Sequence, residues 1–331
     1  MSTVKGEPLL DAGPLTHAFQ AMSSQVELKL VCDSSAMNWA ARLAEDWFAK
    51  SESIFSRFRH ESELESINRA GGSPVLISSM MMEVLQLADA YRRKTAGLCT
   101  PFVGQSLLDA GYTESFERLQ ADLIGALGNS SAAFKEEAPL LPVNRGAQSC
   151  MTLDAAMVSV QVDSSVRLDL GGIVKSWTAS RLARWLQSGG GIRTGLINAG
   201  GDLLAWQGAN ESPLWRIGIS MPNDSSQEIA SRSISNGAVA TSGSWRRRWQ
   251  TNEGARHHLI DPRTGCPASS DVIQCSVAGP DVTECEVWAK SVCIAGEEFG
   301  IRLMNERVPQ YEAVVVDRSG RIKVYGNGWE L

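Results

Sequence analysis

The sequence predicts an α+β protein, built as two intimate subdomains of mixed or antiparallel sheet with packed helices. Segments alternating with a period of two, segments at helical spacing and paired glycines all occur. They do not follow the regular strand–helix order of a doubly wound sheet, and no internal repeat is present. Of 331 residues, 43% are hydrophobic and 21% charged. That supplies core for one large domain or two close ones.

Gln25 to Val31 alternates apolar and polar residues and reads as a strand. Ala36 to Ala49 follows with Ala36, Trp39, Ala40, Leu43 and Trp47 at helical spacing, behind the capping candidates Asp33, Ser34 and Ser35. Ser53 to Gly72 reads as a loop that ends on Gly71-Gly72. A second helix is predicted from Ser79 to Lys94, with Arg92, Arg93 and Lys94 in its last turn and Gly97 beyond. Residues 125–150 are weakly patterned and read as a connection between an N-terminal part, 18–124, and a C-terminal part, 151–331, with 1–17 as a tail.

The second half is richer in strands. Val166 to Leu170 predicts a short strand ending at Gly171-Gly172, and Ile173 to Gln187 a helix. Leu196-Ile197 and Leu203 to Trp206 read as strands flanking Gly200-Gly201. Trp215 to Ser220, Ile273 to Ala278 and Ala313 to Val316 read as further strands, and Glu284 to Ala295 as the last strong helix.

A net charge of −6 and a pI near 5.4 argue against a nucleic-acid binder. The dense basic run Arg246-Arg247-Arg248 is too short to change that. No segment approaches the roughly 18 apolar residues of a bilayer span, and the N-terminus carries no apolar run of signal-peptide length. A cytoplasmic protein without membrane partners is therefore expected. The seven cysteines are scattered, with no C-x-x-C pair, so reduced thiols are expected rather than a zinc or dithiol site. The ten tryptophans read as packing residues.

Four stretches carry candidate chemistry. In Asp169-Leu170-Gly171-Gly172-Ile173-Val174-Lys175 a strand runs through two glycines into a helix, whose N-terminus attracts anions. A plain turn with solvated charges fits equally. Asn198-Ala199-Gly200-Gly201-Asp202 is either a ligand loop or a hairpin turn. Ala240-Thr241-Ser242-Gly243 offers hydroxyls to a phosphate or finishes a strand. His257-His258 precedes the turn Asp261-Pro262-Arg263-Thr264-Gly265, and a histidine there is either a proton acceptor or surface polarity.

Taken together, the four resemble the FAD:protein FMN transferase (ApbE) family, whose members show D-L-G-G-I-A-K-G, N-A-G-G-D, A-T-S-G and H-I-I-D-P-x-T-G in this order. Ser56-Arg57-Phe58, Ser62-Glu63-Leu64 and Asn68 resemble its S-R-F and S-E-L-x-x-x-N block, and Met22-Ser23-Ser24 its M-G-T. Gly97 to Gly111 resembles G-x-F-D-P-T-V-G-P-L imperfectly, and the resemblance spans residues 18–296. It implies an ApbE-like fold and cleavage of FAD at its pyrophosphate. FMN passes to a Thr or Ser hydroxyl of an acceptor flavoprotein, AMP leaves, and Mg²⁺ assists. It further implies His258 as base. The FAD site would be Met22, Phe58, Leu98, Cys99, Thr100, Asp169, Lys175, Asp202, Thr241 and Ile260, and the metal would lie at Gly172, Glu286, Ala289 and Lys290.

The chain departs from the family at that metal. Where the family reads A-D-A-L-x-T, Glu286 stands at the Asp and Lys290 at the Thr. Thr100 stands where an Asp is usual, and Ser23, Ser176 and Ser180 replace two glycines and an acid. A protonated lysine has no lone pair for a cation. The expectation is that the Lys290 ammonium takes the metal's place, balanced by Glu286 in the favourable i,i+4 order. A surface ion pair is the alternative. Two further functions stay open beside transfer: an FAD carrier or regulatory module that has lost transfer, and an enzyme using the pocket for metal-free chemistry. The sequence does not fix the oligomeric state.

Overall fold

The computed structural model describes residues 13–119, 150–208, 215–222, 224–251 and 254–331. Its centre is an eight-stranded sheet whose neighbours all pair antiparallel. In chain order the strands are β1 (Leu15–Ala21), β2 (Ser24–Leu30), β3 (Gly195–Ala199), β4 (Asp202–Trp206), β5 (Gly237–Gly243), β6 (Val272–Gly279), β7 (Glu312–Asp317) and β8 (Ile322–Tyr325), and they lie side by side in that order. β2 pairs with β3, with Leu28 opposite Ile197, so the two halves of the chain share one sheet. The first strand begins at Leu15, inside the segment expected to be a tail, and β7 and β8 carry the fold past residue 296.

Helices α1 (Ser34–Phe55), α2 (Glu63–Asn68), α3 (Ser79–Lys94), α4 (Gly104–Asp109), α5 (Val174–Ser188), α6 (Val282–Ala295) and α7 (Glu297–Arg307) accompany the sheet, with smaller sheets of two and three strands. Strand alternation decides what covers each face. Ala238 and Ala240 of β5 and Ala313 and Val315 of β7 pack in one core with Trp288, Ala289 and Val292 of α6. Val239, Val314 and Val316 point the other way, into a core closed by the hairpin Trp215–Met221/Asp224–Ile234. α1 and α5 bury Ala40, Phe48, Leu182 and Leu186 against Val26 and Leu28 of β2. A further core joins α2, α3 and the start of α5.

Two expectations change. Residues Ser53 to Gly72 are not one loop: α1 runs to Phe55 and α2 forms within it. Ser62 accepts from the Glu65 N–H at 3.1 Å, the N-cap half of a capping box. Nor is Val166 to Leu170 a strand. Its backbone is satisfied by other partners: the Leu168 N–H donates to Asn68 Oδ1 at 2.7 Å, Asn68 Nδ2 donates to Leu168 O at 3.1 Å, and the Asp169 N–H donates to Pro101 O at 2.8 Å. Of the expected connection 125–150, all but Cys150 lies outside the described residues. None of the seven cysteines is joined in a disulfide. No helix among the described residues is long and apolar enough to cross a membrane.

Candidate active site

A cavity of about 170 Å³ opens where distant parts of the chain meet. The β1–β2 turn brings Met22, the end of α1 brings Phe58, and the segment before α4 brings Leu98, Cys99 and Thr100. The Gly171-Gly172 loop brings Asp169 and Lys175. The last walls are His258 and Ile260 on one side and Lys290 of α6 on the other. Four expected residues stand off the wall: Asp202, Thr241, Glu286 and Ala289. Ala289 is core. The Thr241 hydroxyl meets Ser276 Oγ at 2.8 Å between β5 and β6.

The entry to α5 has the form expected of an anion site. No side chain caps its N-terminus; the Val174 N–H donates to Leu170 O at 3.1 Å, and the positive end of the helix dipole faces the loop. Asp169 is fixed beside it: Oδ1 accepts from the Gly171 N–H at 2.9 Å and Oδ2 meets Arg57 Nε at 2.9 Å. Arg57, of the Ser56-Arg57-Phe58 segment, also walls the cavity. Its Nη1 donates to Tyr112 O at 2.7 Å, and its guanidinium lies 4.0 Å from the Phe58 ring centroid and 4.4 Å from that of Tyr112. Nη2 is buried with no partner among the described residues, a donor at the cavity wall in want of an acceptor. Tyr112 stacks in turn on Trp249 at 4.9 Å.

Beneath Gly172 lies a group of four charges. Lys175 Nζ pairs with Asp202, and Lys290 Nζ lies 3.8 Å from Glu286 Oε1. Ser176 Oγ donates to Glu286 Oε2 at 2.5 Å. Burial pushes the Asp202 carboxyl up to about 6, against the pull of Lys175. The Asn198–Asp202 segment is the β3–β4 hairpin, with Gly200 at φ +65° and Gly201 at +103°, conformations glycine takes without strain. Asn198 Oδ1 accepts from the Gly201 N–H at 2.9 Å, so the hairpin serves to hand Asp202 to Lys175.

Across the cavity the two histidines divide. His257 is packed away: the Leu259 N–H points at its Nδ1 (3.3 Å) and its Nε2 lies 3.0 Å from Ala268 O. His258 is half-buried on the wall, and its Nδ1 has no hydrogen-bond partner among the described residues. Burial first, then the nearby charges of Arg247 and Lys290, hold its pKa well below the usual 6.5. The imidazole is therefore neutral at neutral pH, with a lone pair to accept a proton. Cys99 is no nucleophile there, because burial pushes its thiol up to about 11. Arg247, set aside in the basic run, donates to Ser23 O at 3.3 Å and Ser24 Oγ at 3.1 Å and ties the His258 wall to the β1–β2 turn. Trp177 and Trp245, which flank the motifs, donate instead to Glu83 at 2.8 Å and Gln274 at 3.0 Å.

The chain is similar to known proteins along most of its length. The sequence model of the ApbE family matches residues 22–315. An FAD:protein FMN transferase of Treponema pallidum is 26% identical over 284 residues, 82% of this chain and 75% of that protein. One from Klebsiella pneumoniae is 26% identical over 290 residues, 86% and 84% of the two chains. The ApbE protein of Thermotoga maritima superposes with a TM-score of 0.77 at 22% identity, over 94% of this chain and 97% of its own. The flavin transferase ApbE of Vibrio cholerae gives 0.72 at 21%, over 94% and 96%.

Proposed function

The chain belongs to the ApbE family, and from that premise we propose that it transfers FMN from FAD to a Thr or Ser hydroxyl of an acceptor protein. The hydroxyl oxygen attacks the phosphorus of the FMN half. A new P–O bond forms, the P–O bond to the bridging oxygen breaks, and AMP leaves with that oxygen. The hydroxyl proton passes to the imidazole of His258, which walls the cavity. The carrying observation is that one cavity is lined both by this neutral imidazole and by the start of α5, whose N-terminus no side chain caps. One side can accept a proton and the other can hold phosphate oxygens. Arg57 and Asp169 fix the floor between them, and Phe58 offers an apolar face at 39% exposure to a planar ring.

Magnesium is implied by the family, but the residues beneath Gly172 do not fit it. Such an ion takes several hard oxygen ligands. No group of three or more His, Cys, Asp or Glu side chains placed to hold an ion occurs among the described residues. Asp202 is engaged by Lys175, and Glu286 is shared by Ser176 and Lys290. No step is assigned to a metal here. The free thiols suit a reducing compartment, and the cytoplasm is part of the proposal.

The test is release of AMP from FAD in the presence of an acceptor domain bearing a Thr-containing target segment, with the acceptor's flavin fluorescence followed in a gel. Equal amounts of AMP and flavinylated acceptor are expected. AMP without labelled acceptor would mean hydrolysis, and neither product would overturn transfer.

A further inference from the structure

We propose that the ammonium of Lys290 is the resident cation of this site, holding the FAD pyrophosphate so that the chain binds FAD without a divalent metal. The inference rests on the flavin-transferase reading and deepens it.

Position comes first. Nζ sits so close over Gly172 that a β-carbon on that residue would lie 2.0 Å from it. Only glycine leaves room for a cation there. The same loop opens α5, whose uncapped N-terminus adds its own positive end. Lys290 lines the cavity, so its charge is presented to whatever the helix N-terminus binds.

Unfilled valence comes second. Among the described residues the ammonium has one acidic neighbour in ion-pair range, Glu286 at 3.8 Å. That exceeds hydrogen-bond length, and Lys290 donates no hydrogen bond among them. Glu286 directs its other oxygen to Ser176 at 2.5 Å. Three N–H donors are therefore available to ligand oxygens on a side chain 17% exposed. Lys175 differs, since its ammonium is already paired with Asp202.

Charge comes third. Lys175, Lys290, Asp202 and Glu286 form a group balanced by its own members. A divalent ion would meet an ammonium at contact distance, with no carboxylate free of a cationic partner to hold it. A pyrophosphate instead brings the anions that the Lys290 donors lack. Lysine does this as a point charge, without bridging several oxygens as a metal would.

The test measures FAD binding calorimetrically, in chelator and in excess Mg²⁺, for the natural protein and for Lys290→Thr and Lys290→Arg. The natural protein should bind FAD within about twofold under both conditions. Lys290→Thr should lose about tenfold or more in chelator, the scale of one charge-assisted hydrogen bond. Lys290→Arg should stay metal-independent, which also guards against a Thr variant that fails to fold. Mg²⁺ tightening FAD binding to the natural protein by about tenfold or more would overturn the proposal and leave flavin transfer standing. So would Lys290→Thr binding FAD in chelator as tightly as the natural protein. No FAD binding under either condition would overturn both readings.

Discussion

Arg57 holds Asp169 at the floor of the cavity, Nε to Oδ2 at 2.9 Å, with side chains 6% and 15% exposed. Burial first, and the nearby Arg167 charge, lower the Arg57 pKa, and Asp169 opposes that shift. Removing one partner leaves the other charged and poorly solvated. Arg57→Ala should lower unfolding stability by about 2–3 kcal/mol. Arg57→Lys should recover part of it, because the ammonium keeps the charge but loses the planar fork. Urea titration checks both, and an Arg57→Ala midpoint equal to that of the natural protein would refute the structural part of the argument.

Gly172→Ala should act on Lys290 rather than on the fold. Gly172 has no positive φ, so alanine is tolerated by the backbone, but its methyl would meet the ammonium at 2.0 Å. The flexible lysine end moves away. FAD affinity should fall about tenfold while the unfolding midpoint stays within about 0.5 kcal/mol of the natural value. Unchanged FAD affinity would mean that the ammonium is not in the binding path.

His258→Asn should leave FAD bound and slow AMP release by about 10²–10⁴-fold. The pH profile carries a sign. The folded pKa lies well below 6.5, so the base form persists through neutral pH and the acid limb of AMP release should fall below that value. Stability follows the same linkage. It is full above the ordinary value and is lost as pH falls toward the depressed one, because the unfolded chain takes the proton first. A rate limb centred above pH 6.5 would exclude His258 as the base.

Met22 and Ser23 form the β1–β2 turn at φ +50° and +56°, where side chains are uncomfortable. Ser23→Gly should raise unfolding stability by about 0.5–1 kcal/mol, after allowing for glycine's freer unfolded state. The exposed bond from Ser23 Oγ to Glu117 Oε2, 2.7 Å, is lost at little expense. Thermal unfolding of the two proteins decides it, and a lowered midpoint would mean that this bond outweighs the strain.

What the sequence revealed follows the range of the interactions. Helix α3 runs from Ser79 to Lys94 as expected, because its Ser78 cap, apolar face and basic last turn all lie within the segment. Residues 166–170 misled because their backbone partners, Asn68 and Pro101, are far away in sequence. Glu286 and Lys290 were visible as a helical pair, but their burial depends on β5 and β6 closing over α6, and local spacing carries no sign of that. The ApbE motifs marked most of the cavity wall. Arg57 lay inside a quoted motif and Arg247 inside the dismissed basic run, and neither could be weighed until Asp169 and the β1–β2 turn stood beside them. The Ser62 N-cap of α2 lies within the segment and is local enough to read from sequence.

The pairing of β2 with β3 has a kinetic consequence. The chain is tied by contacts remote in sequence: Arg247 reaches Ser23 across 224 positions at the cavity wall, and Lys94 reaches Glu284 across 190. Such contacts form late, after long loop closures, and folding of this topology is slow. A flavin that recognises only the finished cavity then traps the native chain by mass action, worth about 2.7 kcal/mol at a hundredfold excess over Kd.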